Sequence, residues 1–153
     1  MKTTIVFVCY GNICRSPMAE FLFKNMTGDK YDITSAATSD EETGSPVHYG
    51  TRRILDGLKI DCRGFAAHTL TKKECDQADY IIGMEDMNVR HIKYICGRDN
   101  EHKVYKLLDF TDRPRDIADP WYTHDFDTTY KEIAEGLEGL KKFLEGGAQK
   151  ERL

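Results

Sequence analysis

The stretch Thr3-Thr4-Ile5-Val6-Phe7-Val8-Cys9-Tyr10-Gly11-Asn12-Ile13-Cys14-Arg15-Ser16-Pro17 decides the reading of this chain. Its first half, Thr3–Val8, is a continuous apolar run rich in β-branched residues, the pattern of a strand buried on both faces of a parallel sheet. Its end, Ser16-Pro17, reads as a helix N-cap followed by proline at the first helical position. The short loop between them lies where free backbone N–H groups and the helix dipole bind anions. It is neither the Gly-x4-Gly-Lys-Ser/Thr nucleotide loop nor the Gly-x-Gly-x-x-Gly dinucleotide loop. It begins with a thiol, Cys9, and ends with a guanidinium, Arg15, five residues lying between them. A loop of that size can wrap the amides of Tyr10, Gly11, Asn12, Ile13, Cys14 and Arg15 around one phosphoryl group. Arg15 would grip two oxygens and Cys9 would sit beneath the phosphorus. The same amides and the helix N-terminus stabilise a thiolate nucleophile. Ser16 is placed to hydrogen-bond the sulfur as it leaves, and Asn12, which tolerates positive φ, to hold the loop's shape.

Outward from this loop the pattern is strand, helix, strand, helix, repeated. A helix is expected from Ser16 to about Gly28, a second strand at Tyr31–Ala37 and a helix over Val47–Leu58. A third strand fits Tyr80–Met84, a helix Asp86–Ile95 and a fourth strand Lys103–Leu108. In the last helix Phe126, Tyr130, Ile133, Leu137, Leu140 and Leu144 recur at steps of four, three, four, three and four, one apolar stripe. Gly146-Gly147 ends it. Strands alternating with helices imply βαβ units and a parallel sheet, hence a single α/β domain over 1–153, with a polar tail at 148–153. Ligands of such sheets bind beyond the carboxyl ends of the strands. Two segments are expected at that edge: the Cys9 loop, and the polar stretch Asp109–Asp125 after strand four.

Composition bounds the partners. The 153 residues carry 22 Lys+Arg and 26 Asp+Glu, a net charge of −4, with 40% hydrophobic and 31% charged residues. A mildly acidic balance argues against nucleic acid or an anionic membrane as a partner. No apolar run approaches the ~18–20 residues of a membrane span, and Ile5–Val8 is too short for the core of a signal peptide. A cytoplasmic location is expected. Five cysteines, an odd number, do not suggest a disulfide framework. There is no Cys-x-x-Cys and no second pair to complete a metal site, so no metal and no cofactor are expected. Cys62, Cys75 and Cys96 read as buried packing residues.

Val8 to Glu20, with Cys9-Tyr10-Gly11-Asn12-Ile13-Cys14-Arg15-Ser16-Pro17 at its centre, resembles the signature of the low-molecular-weight protein tyrosine phosphatases. The likeness runs on through Asp79-Tyr80-Ile81-Ile82-Gly83-Met84 to Asp119-Pro120-Trp121-Tyr122. It implies a four-stranded parallel sheet flanked by helices, in the Rossmann-like or flavodoxin-like manner. It also implies metal-independent hydrolysis of phosphotyrosine or small aryl phosphates through a cysteinyl-phosphate, with inorganic phosphate and vanadate as inhibitors. Cys9 would be the nucleophile and Arg15 the phosphate ligand. The general acid and base is sought among Asp109, Asp112, Asp116, Asp119, Asp125 and Asp127. Asp119 stands apart because Pro120 stiffens the loop and Trp121 and Tyr122 add flat apolar surface; the family carries its acid in such an Asp-Pro. Cys14 is the expected redox partner of Cys9, a disulfide between them protecting the nucleophile. A monomer is expected, with weak self-association left open.

Three features depart from the family. Tyr10 stands where Leu is frequent, Ser39-Asp40-Glu41-Glu42 replaces a segment that often carries Trp, and Phe65 takes the place of a usual His, with His68 three residues later. Tyr10, Glu41, Trp121 and Tyr122 would form the substrate rim, and an acidic rim disfavours acidic peptides. His68 reads as a surface or structural histidine. Thiol-dependent arsenate reductase and protein-arginine phosphatase are the rival activities, and a phosphate-binding module without catalysis the non-enzyme rival. Ile13, where arginine phosphatases typically carry Thr, and cysteines 13 and 21 residues apart (62, 75, 96), with no close pair, speak against the first two. The joint presence of Cys9, Arg15 and Asp119 speaks against the third.

Overall fold

The structure, a computed structural model, describes residues 2–147; the polar tail expected at 148–153 lies outside the described residues. Strand β1 (Thr4–Cys9) runs between β2 (Asp32–Ala37) and β3 (Tyr80–Gly83), and β4 (Val104–Lys106) pairs with β3 at the edge. All pairings are parallel, in the order β2-β1-β3-β4. The continuous apolar run of β1 follows from this central position. Ile5, Phe7 and Cys9 face one core and Val6 and Val8 the other. Helices α1 (Arg15–Thr27) and α6 (Phe126–Lys142) cover the first face, with α2 (Tyr49–Gly57) beside them. Helices α3 (Lys72–Gln77) and α4 (Asp86–Cys96) cover the second.

The stripe of α6 is core, with Phe126, Ile133, Leu137 and Leu140 buried. Backbone beyond Lys142 widens into a π turn, Phe143–Gly147. Close packing on this face needs glycine: a Cβ on Gly136 would stand 2.5 Å from Leu107 Cγ.

Four expectations need correction. The helix begins at Arg15, with Cys14 at the N-cap position and no side-chain cap, so Ser16 lies inside the first turn and its hydroxyl is free to face the sulfur. The fourth strand is only three residues long, because Leu107–Phe110 curls into a 3-10 turn that buries Leu107 and Leu108 beneath α6. Helix α3 was unforeseen, being too short for a periodic stripe. Its capping box was readable in Thr71-Lys72-Lys73-Glu74: Thr71 Oγ1 accepts the Glu74 N–H at 3.1 Å and Glu74 Oε1 accepts the Thr71 N–H at 3.0 Å. The fourth concerns the cysteines. Cys75 of α3 and Cys96 of α4 form a disulfide, fully buried in the second core, while Cys9, Cys14 and Cys62 are free. A separation of 21 residues conceals the contact because the two helices pack side by side.

Candidate active site

The loop after β1 turns on Asn12, whose φ of 60° is left-handed. Asn and Asp enter that region most readily among residues with a side chain. Its buried amide then secures the neighbours. Nδ2 donates to Ser16 Oγ at 2.8 Å and to Ser35 Oγ at 3.0 Å, and Oδ1 accepts the His68 N–H at 3.2 Å. Ser35 in turn donates to Glu20 Oε1 at 2.6 Å, and Glu20 pairs with Lys24 at 2.6 Å. Ser16 Oγ accepts from Asn12 and lies 3.0 Å from Cys9 Sγ and 3.5 Å from Ala36 O. A Cys9 thiolate can only accept, so in that state the short Ser16 contact is a hydroxyl donating to sulfur. The Ser16 N–H approaches the same sulfur at 3.4 Å. The loop is also tied from outside: His48 N–H donates to Ile13 O at 2.9 Å and Thr51 Oγ1 to Cys14 O at 2.9 Å.

Arg15 is 1% exposed, the largest fully buried side chain in the molecule's described residues. Its Nη1 donates to Ile117 O at 2.8 Å, while Nη2 lies 3.1 Å from Glu85 Oε1 and 3.4 Å from Asp119 Oδ2. These carboxylates and Cys9 hold its pKa above the ordinary value against the opposing effect of burial. Nε–H has no bond to a described residue and is available to an anion in the pocket.

Of the six aspartates considered, Asp119 alone lines the pocket with Cys9 and Arg15. Asp125 caps α6 through the Thr128 N–H, Asp127 pairs with Arg53, and Asp116 accepts from Asp86 N–H and Lys106. Asp109 and Asp112 are exposed. Asp119 caps the short helix α5 (Pro120–Thr123): its Oδ1 accepts the Trp121 N–H at 3.0 Å, which leaves Oδ2 turned toward Arg15.

The pocket holds about 130 Å³ and is lined by Cys9, Ile13, Cys14, Arg15 and Asp119 at depth, with Tyr10, Glu41, Glu42, Trp121 and Tyr122 around it. All four expected rim residues are therefore present. The Glu41 carboxylate beside the Tyr10 hydroxyl pushes the phenol pKa up. Cys14 lines the same pocket; burial, then the charges of Cys9 and Asp119, push its thiol up to about 12. His68 braces the loop through its backbone alone, its ring bonding Glu74 at 2.7 Å outside the site. Phe65 packs edge-on against Phe21 at 5.9 Å.

Sequence reasoning missed Glu85, Ser35, Glu20 and Thr51. Glu85 was within reach, since it follows β3 at the same sheet edge as the two loops that were considered. The loop after β2, which carries Glu41 and Glu42, also opens there, so all four strand ends contribute. Among the described residues no group of three or more His, Cys, Asp or Glu side chains could hold a metal ion.

Residues 4–150 match the family described as low molecular weight phosphotyrosine protein phosphatase. The protein-tyrosine-phosphatase PtpA of Staphylococcus saprophyticus is 36% identical over 146 residues, covering 92% of this chain and 93% of its own. The crystal structure of YfkJ from Bacillus subtilis superposes with a TM-score of 0.89 at 32% identity, covering 100% of this chain and 98% of that one. That of SP-PTP, a low molecular weight protein tyrosine phosphatase from Streptococcus pyogenes, gives 0.86 at 37% identity over 97% of each chain.

Proposed function

The chain belongs to the low-molecular-weight phosphotyrosine protein phosphatases, cysteine-dependent and metal-independent enzymes that work through a cysteinyl-phosphate, and from that premise we propose how its own residues divide the work. The observation that carries the assignment is the convergence, in one small pocket, of Cys9, the Ser16 hydroxyl 3.0 Å from its sulfur, the buried Arg15, and Asp119 3.4 Å from the guanidinium.

A phosphotyrosine phosphate enters over Cys9, held by the amides of residues 10–15 and by Arg15 through Nε and Nη2. The sulfur attacks phosphorus as the P–O bond to the phenol breaks, and Asp119 gives its proton to the departing oxygen. Water then attacks phosphorus, Asp119 takes the water's proton, and the S–P bond breaks to return the thiolate. The Ser16 hydroxyl stabilises the emerging sulfur charge, and Arg15 follows the charge on the equatorial oxygens. Tyr10, Trp121 and Tyr122 enclose the phenyl ring, while Glu41 and Glu42 set a negative rim. Inorganic phosphate and vanadate compete for the same cradle.

Cys14 is the resolving thiol. Peroxide converts the Cys9 thiolate to a sulfenic acid, and attack by the Cys14 sulfur forms the Cys9–Cys14 disulfide with loss of water. Loss of the Cys9 thiolate also removes one charge that keeps Cys14 protonated. The protein substrate, a cytoplasmic site of action and a monomeric enzyme complete the reading; no helix among the described residues is long and apolar enough to cross a membrane.

The buried Cys75–Cys96 pair does not revive the arsenate-reductase reading. It belongs to the core that contains Val6 and Val8, across the sheet from Cys9 and Cys14, and has no exposed surface for a relay. The test is turnover of p-nitrophenyl phosphate, phosphotyrosine and phosphoarginine peptides, and arsenate. Phosphotyrosine and the aryl phosphate are hydrolysed in the presence of EDTA, vanadate blocks them, and Cys9→Ser is inactive. Preferred turnover of phosphoarginine or arsenate overturns the reading.

A further inference from the structure

Beside the catalytic pocket lies a second and larger cleft, of about 510 Å³, between the start of α2 and helix α5. Its walls include His48, Tyr49, Arg53, Trp121, His124 and Phe126, and Trp121 is the one residue it shares with the catalytic pocket. We propose that this cleft is a second substrate subsite, which takes an aromatic side chain flanking the phosphotyrosine of a protein substrate. The proposal rests on the phosphatase reading above.

The catalytic pocket holds a phosphate and its phenyl ring, so the polypeptide must cross the rim. The rim includes Glu41 and Glu42. It also includes Trp121, which is 53% exposed and belongs to the wall of the cleft as well. Residues two or three positions from the phosphotyrosine lie within roughly 7–10 Å of its Cα. A chain that passes over Trp121 therefore brings such a side chain to the cleft mouth.

The chemistry of the walls selects an aromatic group. The His48 ring stacks on Phe126 at 5.0 Å and on Tyr49 at 4.7 Å, and meets Trp121 edge-on at 5.9 Å. Its Nδ1 accepts the Gly50 N–H at 3.0 Å, so the ring is neutral with its proton on Nε2. Arg53 is 3.3 Å from Asp127, yet its side chain is more than half exposed and stands at the cleft beside His124. A ligand therefore meets ring surface, with Tyr49 78% exposed, together with one guanidinium, which favours the face of an aromatic ring. Gly50 lets this floor form, since a Cβ there would stand 2.6 Å from the Phe126 ring.

Tyr49→Ala tests the idea, because an exposed side chain is removed without disturbing the core. Phosphotyrosine peptides with Phe or Ala at each of three positions on either side are compared by kcat/KM, with p-nitrophenyl phosphate as a substrate too small to reach the cleft. The wild type prefers Phe by about tenfold at one position, chiefly through KM, about 1.4 kcal/mol. In Tyr49→Ala that preference falls below twofold while p-nitrophenyl phosphate turnover changes less than twofold. An unchanged Phe preference in the variant, no preference in the wild type, or a stronger preference for Glu than for Phe overturns the subsite. Failure of the wild type to hydrolyse p-nitrophenyl phosphate overturns the phosphatase reading instead.

Discussion

Asn12 concentrates more of the site than any other single residue. It occupies a left-handed position, both Nδ2 protons are used on Ser16 and Ser35, and Oδ1 secures the irregular segment carrying His68. Asn12→Ala takes one partner each from the buried Ser16 and Ser35 hydroxyls and from the His68 N–H, and is expected to cost about 1–3 kcal/mol by chemical denaturation. Asn12→Gly relieves the backbone and restores only part of that loss, because the amide is still absent. Asp119 separates chemistry from binding. Asp119→Ala lowers kcat for aryl phosphates by ~10²–10³-fold, while the inhibition constant of inorganic phosphate moves only a few-fold, since Nε of Arg15 and the loop amides are intact. His48 carries a pH signature. Burial holds its pKa below the ordinary value of 6.5, Glu42 opposing, so the unfolded chain takes up a proton at a higher pH than the native one. Native stability is full above about pH 6.5 and is lost as pH falls through the lowered folded pKa. His48→Asn, which keeps a cap for α2, flattens the slope of Tm against pH in that interval; an unaltered slope defeats the assignment. At this scale Cys9, Arg15 and Asp119 were legible because each belongs to a local pattern with its own chemistry. Glu85, Ser35 and Glu20 were not, since their roles exist only once distant strands are side by side.

Elements were legible where a period was long enough to be counted. The apolar run of β1 and the stripe of α6 gave their own positions, the first because it is buried on two faces and the second because it is buried on one. Short elements gave less. Helix α3 has six residues and one buried side chain, Cys75, so its capping box rather than periodicity marks it. Thr71→Ala removes one half of that box and is expected to cost about 1 kcal/mol in urea unfolding. The end of β4 was invisible for another reason: Leu107 and Leu108 read as strand residues, but Gly136 of α6 admits Leu107 into the first core and the backbone curls to bring it there. Gly136→Ala forces a methyl group against Leu107. A loss of about 1–3 kcal/mol follows, since an overpacked core yields by shifting side chains and backbone. An alanine tolerated there without loss would mean that α6 and the 3-10 turn are more loosely docked than this packing requires.

Over the whole molecule, net charge and the cysteine count described the surface and the inventory without describing where either acts. In the proposed reading a chain of charge −4 takes a phosphoryl dianion at one local site, the buried Arg15 guanidinium and the loop amides. It does so even though Glu85 and Asp119 lie against that guanidinium and Glu41 and Glu42 line the pocket. The cysteines divide in the same way, by location. Cys9 and Cys14 lie at the pocket on one face of the sheet, and Cys75–Cys96 ties α3 to α4 on the other. That tie bears on the site through two ends: α4 starts beside Glu85, which holds Arg15, and the segment leading into α3 carries the His68 N–H that holds Asn12. In the chain-entropy account a loop of this length is worth about 3 kcal/mol, or several degrees in Tm for a domain of this size. Both sulfurs are fully buried, so a reductant reaches them only when the second face opens. Dithiothreitol is therefore expected to lower Tm slowly, on the timescale of opening, while leaving p-nitrophenyl phosphate turnover at 25 °C unimpaired. The variant carrying Cys75→Ala and Cys96→Ala should show the lowered Tm at once and no further response to reductant. Equal Tm for wild type and variant, both without reductant, would show that the bridge does not constrain the unfolded chain. Loss of turnover in the reduced wild type, with Cys9 and Cys14 reduced as well, would show that the two faces of the sheet are coupled more tightly than their separate cores imply.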